Sequence, residues 1–500
     1  VPLASLFTTC SAQTLPSLTA VSIDKGISYS VFTQFGTPGQ DNLLRVDIAQ
    51  PYIWVVSASH GNEACDSAVN STTLCAPHGL YNSTASNTSV NLNSYQELTF
   101  LNGIEINGSI MEDTAFFYDS DNFTGYEFPK VDFMAAEDLN VRVGALGLAG
   151  KSEGENDQFP NITFLSNMVA KGLINSSSYS FFPEDNENLK LTFGGLNPNE
   201  FINDLVVFQK IPFQATDAAL SYDFPIVPIT GISVVNSAGT SVGLSYDQYP
   251  VLLDSRITYS LLPYQVIISL AIQLNAYYSY DDNVWLAKCS TGTLGATLAF
   301  LFGNLTVQVP VSSFMTNLYD EDDNQVNFDD GDPACILTVL PNSNFGYSIL
   351  GTNFLKSVFL AVDNDNHQIA LAQAYNEFYK NQTSHQTKQF ANMTKTSTSS
   401  IPFTSSLIQS GTIPFASGHN LTSVYQDFTL SFNTALASSV IPPDITARVT
   451  HGTIYTGRVG ASSPFSTAQE TGNQTQEAFG VSLRGDIGFT ILGLLFSFLI

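Results

Sequence analysis

The chain has 500 residues, 44 acidic side chains against 17 basic ones, a formal net charge of -27 and a pI of about 4.2. So few cations leave no electrostatic footprint for nucleic acid and no polybasic patch for anionic lipid. Charged residues are 12% of the chain but hydrophobic ones 44%, so it is no disordered polyanion either. Self-repulsion at neutral pH fades near about pH 4 as carboxylates take up protons, which fits a monomer in acidic surroundings.

In chain order, the sequence begins at Val1 rather than Met, so removal of a preceding segment is expected, with residues 1–24 as an N-terminal extension. From Lys25 to Tyr375 the pattern is all-β. Short alternating or apolar runs, Tyr29–Phe35, Leu43–Asp47, Tyr52–Val56, Lys190–Phe193 and Phe359–Val362, are cut by turn signals such as Thr37-Pro38-Gly39 and Gly194-Gly195. Helical spacing appears at Ile162–Lys171 and Tyr264–Leu274. An internal repeat divides this region into lobes at 25–215 and 216–375. An apolar run ending in Asp47 is followed by Ala145-Leu146-Gly147, and one ending in Asp254 by Ile349-Leu350-Gly351. Two lobes that each present one aspartate bring two carboxylates face to face, and a pair sharing one proton can activate water against a peptide carbonyl.

Beyond Tyr375, residues 376–475 are about one third Ser or Thr with sparse charge and no persistent period, which reads as an O-glycosylated stalk. Residues 476–500 end in the apolar run IGFTILGLLFSFLI, short of the ~20 residues a spanning helix needs. With the polar spacer upstream and the small residues at Gly472 and Asn473 before it, this is the pattern of a GPI-anchor signal. Cys65 and Cys75 are near enough for a local staple, and Cys289 and Cys335 can close a longer loop, which leaves Cys10 odd. With twelve N-x-S/T sequons, the cysteine pattern favours a secreted glycoprotein. No cofactor is expected, and no Cys/His cluster has metal spacing.

The motifs together resemble the pepsin-type aspartic proteases, and among them the GPI-anchored yapsins of yeast surfaces. The resemblance is carried by Phe35-Gly36-Thr37-Pro38-Gly39-Gln40, Leu44-Arg45-Val46-Asp47 with Trp54-Val55, and Val143 to Ala149. It is carried further by Leu191 to Gly195, and in the second half by Leu252-Leu253-Asp254-Ser255 with Tyr259 to Pro263, Ser348-Ile349-Leu350-Gly351 and Asp363 to Ala374. It implies a bilobal all-β fold with a cleft between the lobes, disulfides Cys65–Cys75 and Cys289–Cys335, and catalysis by Asp47 and Asp254. It also implies a flap hairpin over the substrate, with Phe100 where the family has tyrosine.

Both catalytic loops depart from the family's Asp-Thr/Ser-Gly. The first reads Asp47-Ile48-Ala49 and the second Asp254-Ser255-Arg256. Ser255 keeps the hydroxyl that ties the loops across the lobes, and Ile48 lacks it. Ala49 and Arg256 replace glycines whose backbone freedom and small size suit a close approach. A salt bridge from Arg256 to either aspartate would favour full ionisation and oppose a shared proton. Two readings follow. One is a surface endopeptidase acting on peptides at acid pH. The other is an inactive pseudoprotease that binds peptides or wall glycan, or serves as a structural surface glycoprotein. Three further features have plainer readings: Gly239-Thr240-Ser241-Val242-Gly243 as a hairpin turn, Trp54 as core, and Asp320-Glu321-Asp322-Asp323 as a solvated loop.

Overall fold

The computed structural model describes residues 15–22, 28–58, 65, 75–99, 104–119, 124–150, 163–215, 224–280, 282–320, 322–342, 348–377, 379, 391–393, 401–408, 424–426, 441, 443–450, 452–456 and 484–485. The described chain is mostly strand, with α-helices at Phe164–Ala170, Tyr264–Gln273 and Thr352–Leu355. The first two lie where helical spacing placed them.

The repeat read from the sequence is a repeat of topology. In the first half, strands Ser30–Phe35, Gln40–Asp47, Gly144–Gly147, Ile53–Val56 and Gly125–Leu139 lie side by side in that order. Successive neighbours run antiparallel, parallel, antiparallel and parallel. In the second half, Ile226–Ile229, Tyr249–Leu253, Ser348–Leu350, Ser260–Leu262 and Val339–Pro341 repeat the order with the same four orientations. Each half therefore delivers its aspartate at the end of the second strand of a five-strand unit.

Local pattern explains these strands. Along Gln40–Asp47, Asn42, Leu44 and Val46 are buried, while Asp41, Leu43 and Arg45 are more exposed, the period of two that one buried sheet face imposes. Burying a side chain such as Leu44 or Val46 stabilises the fold by about 1.5–3 kcal/mol. The strand becomes continuously buried at Val46 and Asp47, where Ser255 of the second half reaches the Val46 carbonyl.

A sheet of six antiparallel strands underlies both halves: Ser17–Val21, Asn188–Phe193, Ser178–Pro183, Val358–Asp363, Gln368–Ala374 and Phe201–Gln209. Its first three strands and its last come from before residue 216, and the two between them from after it, so both halves contribute to it. The main apolar cluster is likewise shared, running from Leu18 and Val46 to Leu253 and Leu371. Disulfides Cys65–Cys75 and Cys289–Cys335 both form, as the family resemblance implied. Cys10 lies outside the described residues.

The Ser/Thr-rich region differs from a free spacer wherever it is described. Ala391–Asn392 pairs with Gly195–Leu196, and Thr404–Ile408 runs parallel to Phe201–Gln209. Val424–Gln426 runs beside Phe213–Ala215. Past that region, within 476–500, Arg484–Gly485 lies beside Leu318–Tyr319. Within the Ser/Thr-rich region, the hairpin Thr446–Thr450/Thr453–Thr456 joins the sheet of Tyr277–Ser279 and Asn327–Phe328. Its Ala447, Val449 and Ile454 complete an apolar cluster with Leu286, Phe328 and Ile336, and Met393 and Ile401 complete another with Phe201 and Phe359. Gly472, Asn473 and the terminal apolar run lie outside the described residues.

Candidate active site

Asp47 ends its strand with its side chain fully buried, and Asp254 follows Leu253 in the same way. Each chain then folds back on its own carboxylate. The Ala49 amide donates to Asp47 Oδ1 at 2.9 Å, and the Arg256 amide to Asp254 Oδ1 at 2.8 Å. The backbone around each aspartate is held by the neighbouring parallel strand. The Leu148 amide donates to the Asp47 carbonyl at 2.8 Å, and the Asp254 amide to the Leu350 carbonyl at 3.1 Å. Gly147 and Gly351 make this packing possible. A Cβ on Gly147 would lie 2.4 Å from the Tyr52 nitrogen, and one on Gly351 2.2 Å from the Tyr259 carbonyl oxygen.

The two loops meet through Ser255. Its Oγ donates to the Val46 carbonyl at 2.7 Å and accepts from the Ile48 amide at 3.2 Å. The tie runs one way, because Ile48 has no hydroxyl to return it and instead joins the main apolar cluster. Among the described residues neither Ala49 nor Arg256 takes a positive φ, so neither position draws on glycine's left-handed freedom here.

Arg256 is 4% exposed, and its guanidinium points into the first half. Nη2 donates to the Val143 carbonyl at 3.0 Å and Nη1 reaches the Gly144 carbonyl at 3.5 Å, while Cζ stands 5.0 Å over the Trp54 ring. Among the described residues it makes no ion pair with Asp47 or Asp254. Burial, then the charge of Arg45, push its pKa down to about 9, and the two aspartates pull it back up. It is therefore cationic at acid and neutral pH. Trp54 is core, as its sequence context suggested, but it also forms the floor on which this cation rests.

Tyr179, in the strand Ser178–Pro183, was not singled out by sequence reasoning. Its ring is buried, and burial followed by the charge of Asp47 raises its phenol pKa. An aromatic in a continuously buried strand carries no sequence signal beyond core. Phe100 lies outside the described residues; the strands Val90–Thr99 and Glu105–Tyr118 pair antiparallel.

Other motifs settle into local roles. Residues 236–240 close a hairpin between Gly231–Val235 and Ser241–Ser245, so the G-x-S-x-G stretch is not a nucleophile elbow. Asp320 caps its own loop, accepting from the Asp322 and Asn324 amides at 3.0 and 2.8 Å. Among the described residues no three His, Cys, Asp or Glu side chains are grouped to hold a metal.

This arrangement, two buried aspartates on matched loops at the seam of two topologically equal halves, coincides with a family match. The profile of the eukaryotic aspartyl proteases matches residues 28–374. The chain belongs to this family, the pepsin-type aspartic proteases. It is 31% identical to aspartic proteinase yapsin-7 of Saccharomyces cerevisiae over 399 residues, 71% of this chain and 66% of that one. It is 26% identical to yapsin-3 of the same yeast over 367 residues, 69% of this chain and 66% of that one. To secreted aspartic protease 7 of Candida albicans it is 24% identical over 376 residues, 70% of this chain and 60% of that one. The matches thus span 60 to 66% of these relatives' lengths.

Proposed function

We propose that this aspartic protease family member is a peptide hydrolase working in acid, with Asp47 and Asp254 as its dyad. The observation that carries the reading is the matched pair of loops. Each folds the amide two residues on back to its aspartate, and Ser255 ties one loop to the other. Two carboxylates held together share one proton, because both cannot ionise cheaply side by side. The ionised member takes a proton from the bound water as its oxygen attacks the scissile carbonyl. The protonated member donates to the carbonyl oxygen, and collapse of the tetrahedral intermediate breaks the C–N bond as the amine takes up a proton. Arg256, directed to carbonyls instead of carboxylates, supplies a positive field that favours keeping one carboxylate ionised without neutralising it in a salt bridge.

Cell-surface residence completes the proposal. It is supported by the two disulfides, the sequons, the likeness to proteins named yapsins and a secreted aspartic protease, and the anchor pattern at 476–500 with Gly472 or Asn473 as attachment point. Peptides are the substrate class, and wall glycan is a neighbour at that location. The test uses soluble protein ending after Asn473 on a random peptide pool read by mass spectrometry. Cleavage near about pH 4, abolished by pepstatin and by Asp47→Ala or Asp254→Ala, is the expected result. Cleavage surviving both substitutions overturns it, and pepstatin binding without cleavage turns the reading to a peptide-binding pseudoprotease. Release of the full chain from cells by a phosphatidylinositol-specific phospholipase tests the anchor, and retention contradicts it.

A further inference from the structure

The catalytic loops are held across the halves by two separate devices. Ser255 bonds to the Val46 carbonyl and the Ile48 amide, and the hydroxyl that would answer from position 48 is missing. One residue further along the same loop, Arg256 crosses the seam in the same direction and ends on the Val143 and Gly144 carbonyls. Those carbonyls open the strand Gly144–Gly147, which lies parallel to the Asp47 strand with Leu44 opposite Gly144 and Asp47 opposite Gly147. Trp54, under the guanidinium, sits on the other side of that strand, opposite Ala145. A glycine could make none of these contacts.

We infer that Arg256 is a positioning residue, a clamp from the second catalytic loop onto the strand beside Asp47, that holds the dyad in register in place of the tie Ile48 cannot make. The inference rests on the proposed peptidase reading for its kinetic readouts, but the clamp itself is geometric and can be read without turnover. A planar guanidinium suits the task because it donates along two directions while stacking on an aromatic face. An ammonium on a flexible stem does so less well. The charges facing it are Arg45, Asp47 and Asp254, and Tyr179 stands beside Asp47. Removing the cation thus also changes the field at the dyad.

The experiment is a double-mutant cycle of Arg256→Met and Ile48→Thr in the soluble chain, with Arg256→Lys as the charge-keeping variant. Amide hydrogen exchange at Ile48 and Leu148 reads the clamp without catalysis. Arg256→Met is expected to speed exchange at both about 10-fold or more, while Lys288→Met, at a surface ion pair, leaves them unchanged. On peptide substrate, Arg256→Met is expected to lower kcat/KM about 100-fold, mostly in kcat, as a misplaced dyad does. It also moves the acid limb of the pH profile upward, whereas Arg256→Lys keeps the limb near its place. Adding Ile48→Thr to Arg256→Met should recover about 10-fold of the loss, since the hydroxyl restores the second tie. Unchanged exchange in Arg256→Met, or no recovery in the double variant, overturns the clamp. If Arg256→Met does not fold, the double variant decides: recovered folding supports the inference and continued failure overturns it. If the wild type cleaves nothing, the peptidase reading falls, and the exchange data still test the clamp.

Discussion

Replacing Glu200 with glutamine should flatten the stability of this protein against pH. Glu200 lies just before the strand Phe201–Gln209, is 4% exposed, and accepts from Asn197 Nδ2 at 3.0 Å, with Lys190 Nζ at 3.6 Å. Burial is the largest influence and raises its pKa from 4.5 to about 7. Lys190 and Asn197 pull the other way, and Glu184 adds a small push upward. The native state therefore keeps a proton that the unfolded chain releases between those two values. The stabilisation is fully present below pH 4.5, declines as pH rises toward about 7, and is lost above it. At 1.36 kcal/mol per pH unit, that interval sets a ceiling of about 3 kcal/mol. Denaturant unfolding at several pH values between about 4.5 and 7.5 measures it, and the difference between wild type and Glu200→Gln cancels the other carboxylates. The wild type should lose up to about 3 kcal/mol more than the variant across that range. Parallel curves, or a steeper loss in the variant, would refute the reasoning.

Two further outcomes are expected. A chain ending after Tyr375 should unfold more readily than one ending after Thr456, by several kcal/mol, because it loses Met393, Ile401, Ile441, Val449 and Ile454 from buried clusters at about 1.5–3 kcal/mol for each large apolar side chain. Equal midpoints in urea would show that the Ser/Thr-rich region adds nothing. Ser255→Ala should cost about 2–4 kcal/mol in equilibrium unfolding, since it strips the buried Ile48 amide and Val46 carbonyl of a shared partner; a loss below about 0.5 kcal/mol contradicts that tie.

The positions of the aspartates were legible because strand ends, glycines and spacing repeat in the two halves, and each glycine has a steric reason to be there. Asp47 with Gly147 and Asp254 with Gly351 are read from residue type alone, since no other side chain fits against Tyr52 or Tyr259. The course of Arg256 was not legible. A long side chain at the seam can turn toward the carboxylates or toward carbonyls, and only the packing of Trp54 and the strand at Gly144 decides which. The strands beyond Tyr375 escaped for another reason. Ala391–Asn392, Thr404–Ile408 and Thr446–Thr450 add to exposed edges largely through backbone hydrogen bonds, and such short additions need little alternation in sequence. Their Ser/Thr-rich composition, read as a stalk, conceals residues such as Ile454 that are fully buried. The net charge of -27 follows the same logic. A buried carboxylate such as Glu200 is most comfortable when protonated, so acid conditions suit the fold as well as the proposed chemistry.

The central claim is that Asp47 and Asp254 work as one unit on water. The most direct measurement is the pH profile of kcat/KM on a cleavable peptide, for wild type, Asp47→Asn and Asp254→Asn, with unfolding midpoints measured alongside. The account predicts a bell-shaped acid profile for the wild type and loss of at least about 1,000-fold in each variant, with the fold intact. A neutral optimum, or a folded single variant within about 10-fold of wild type, would contradict it.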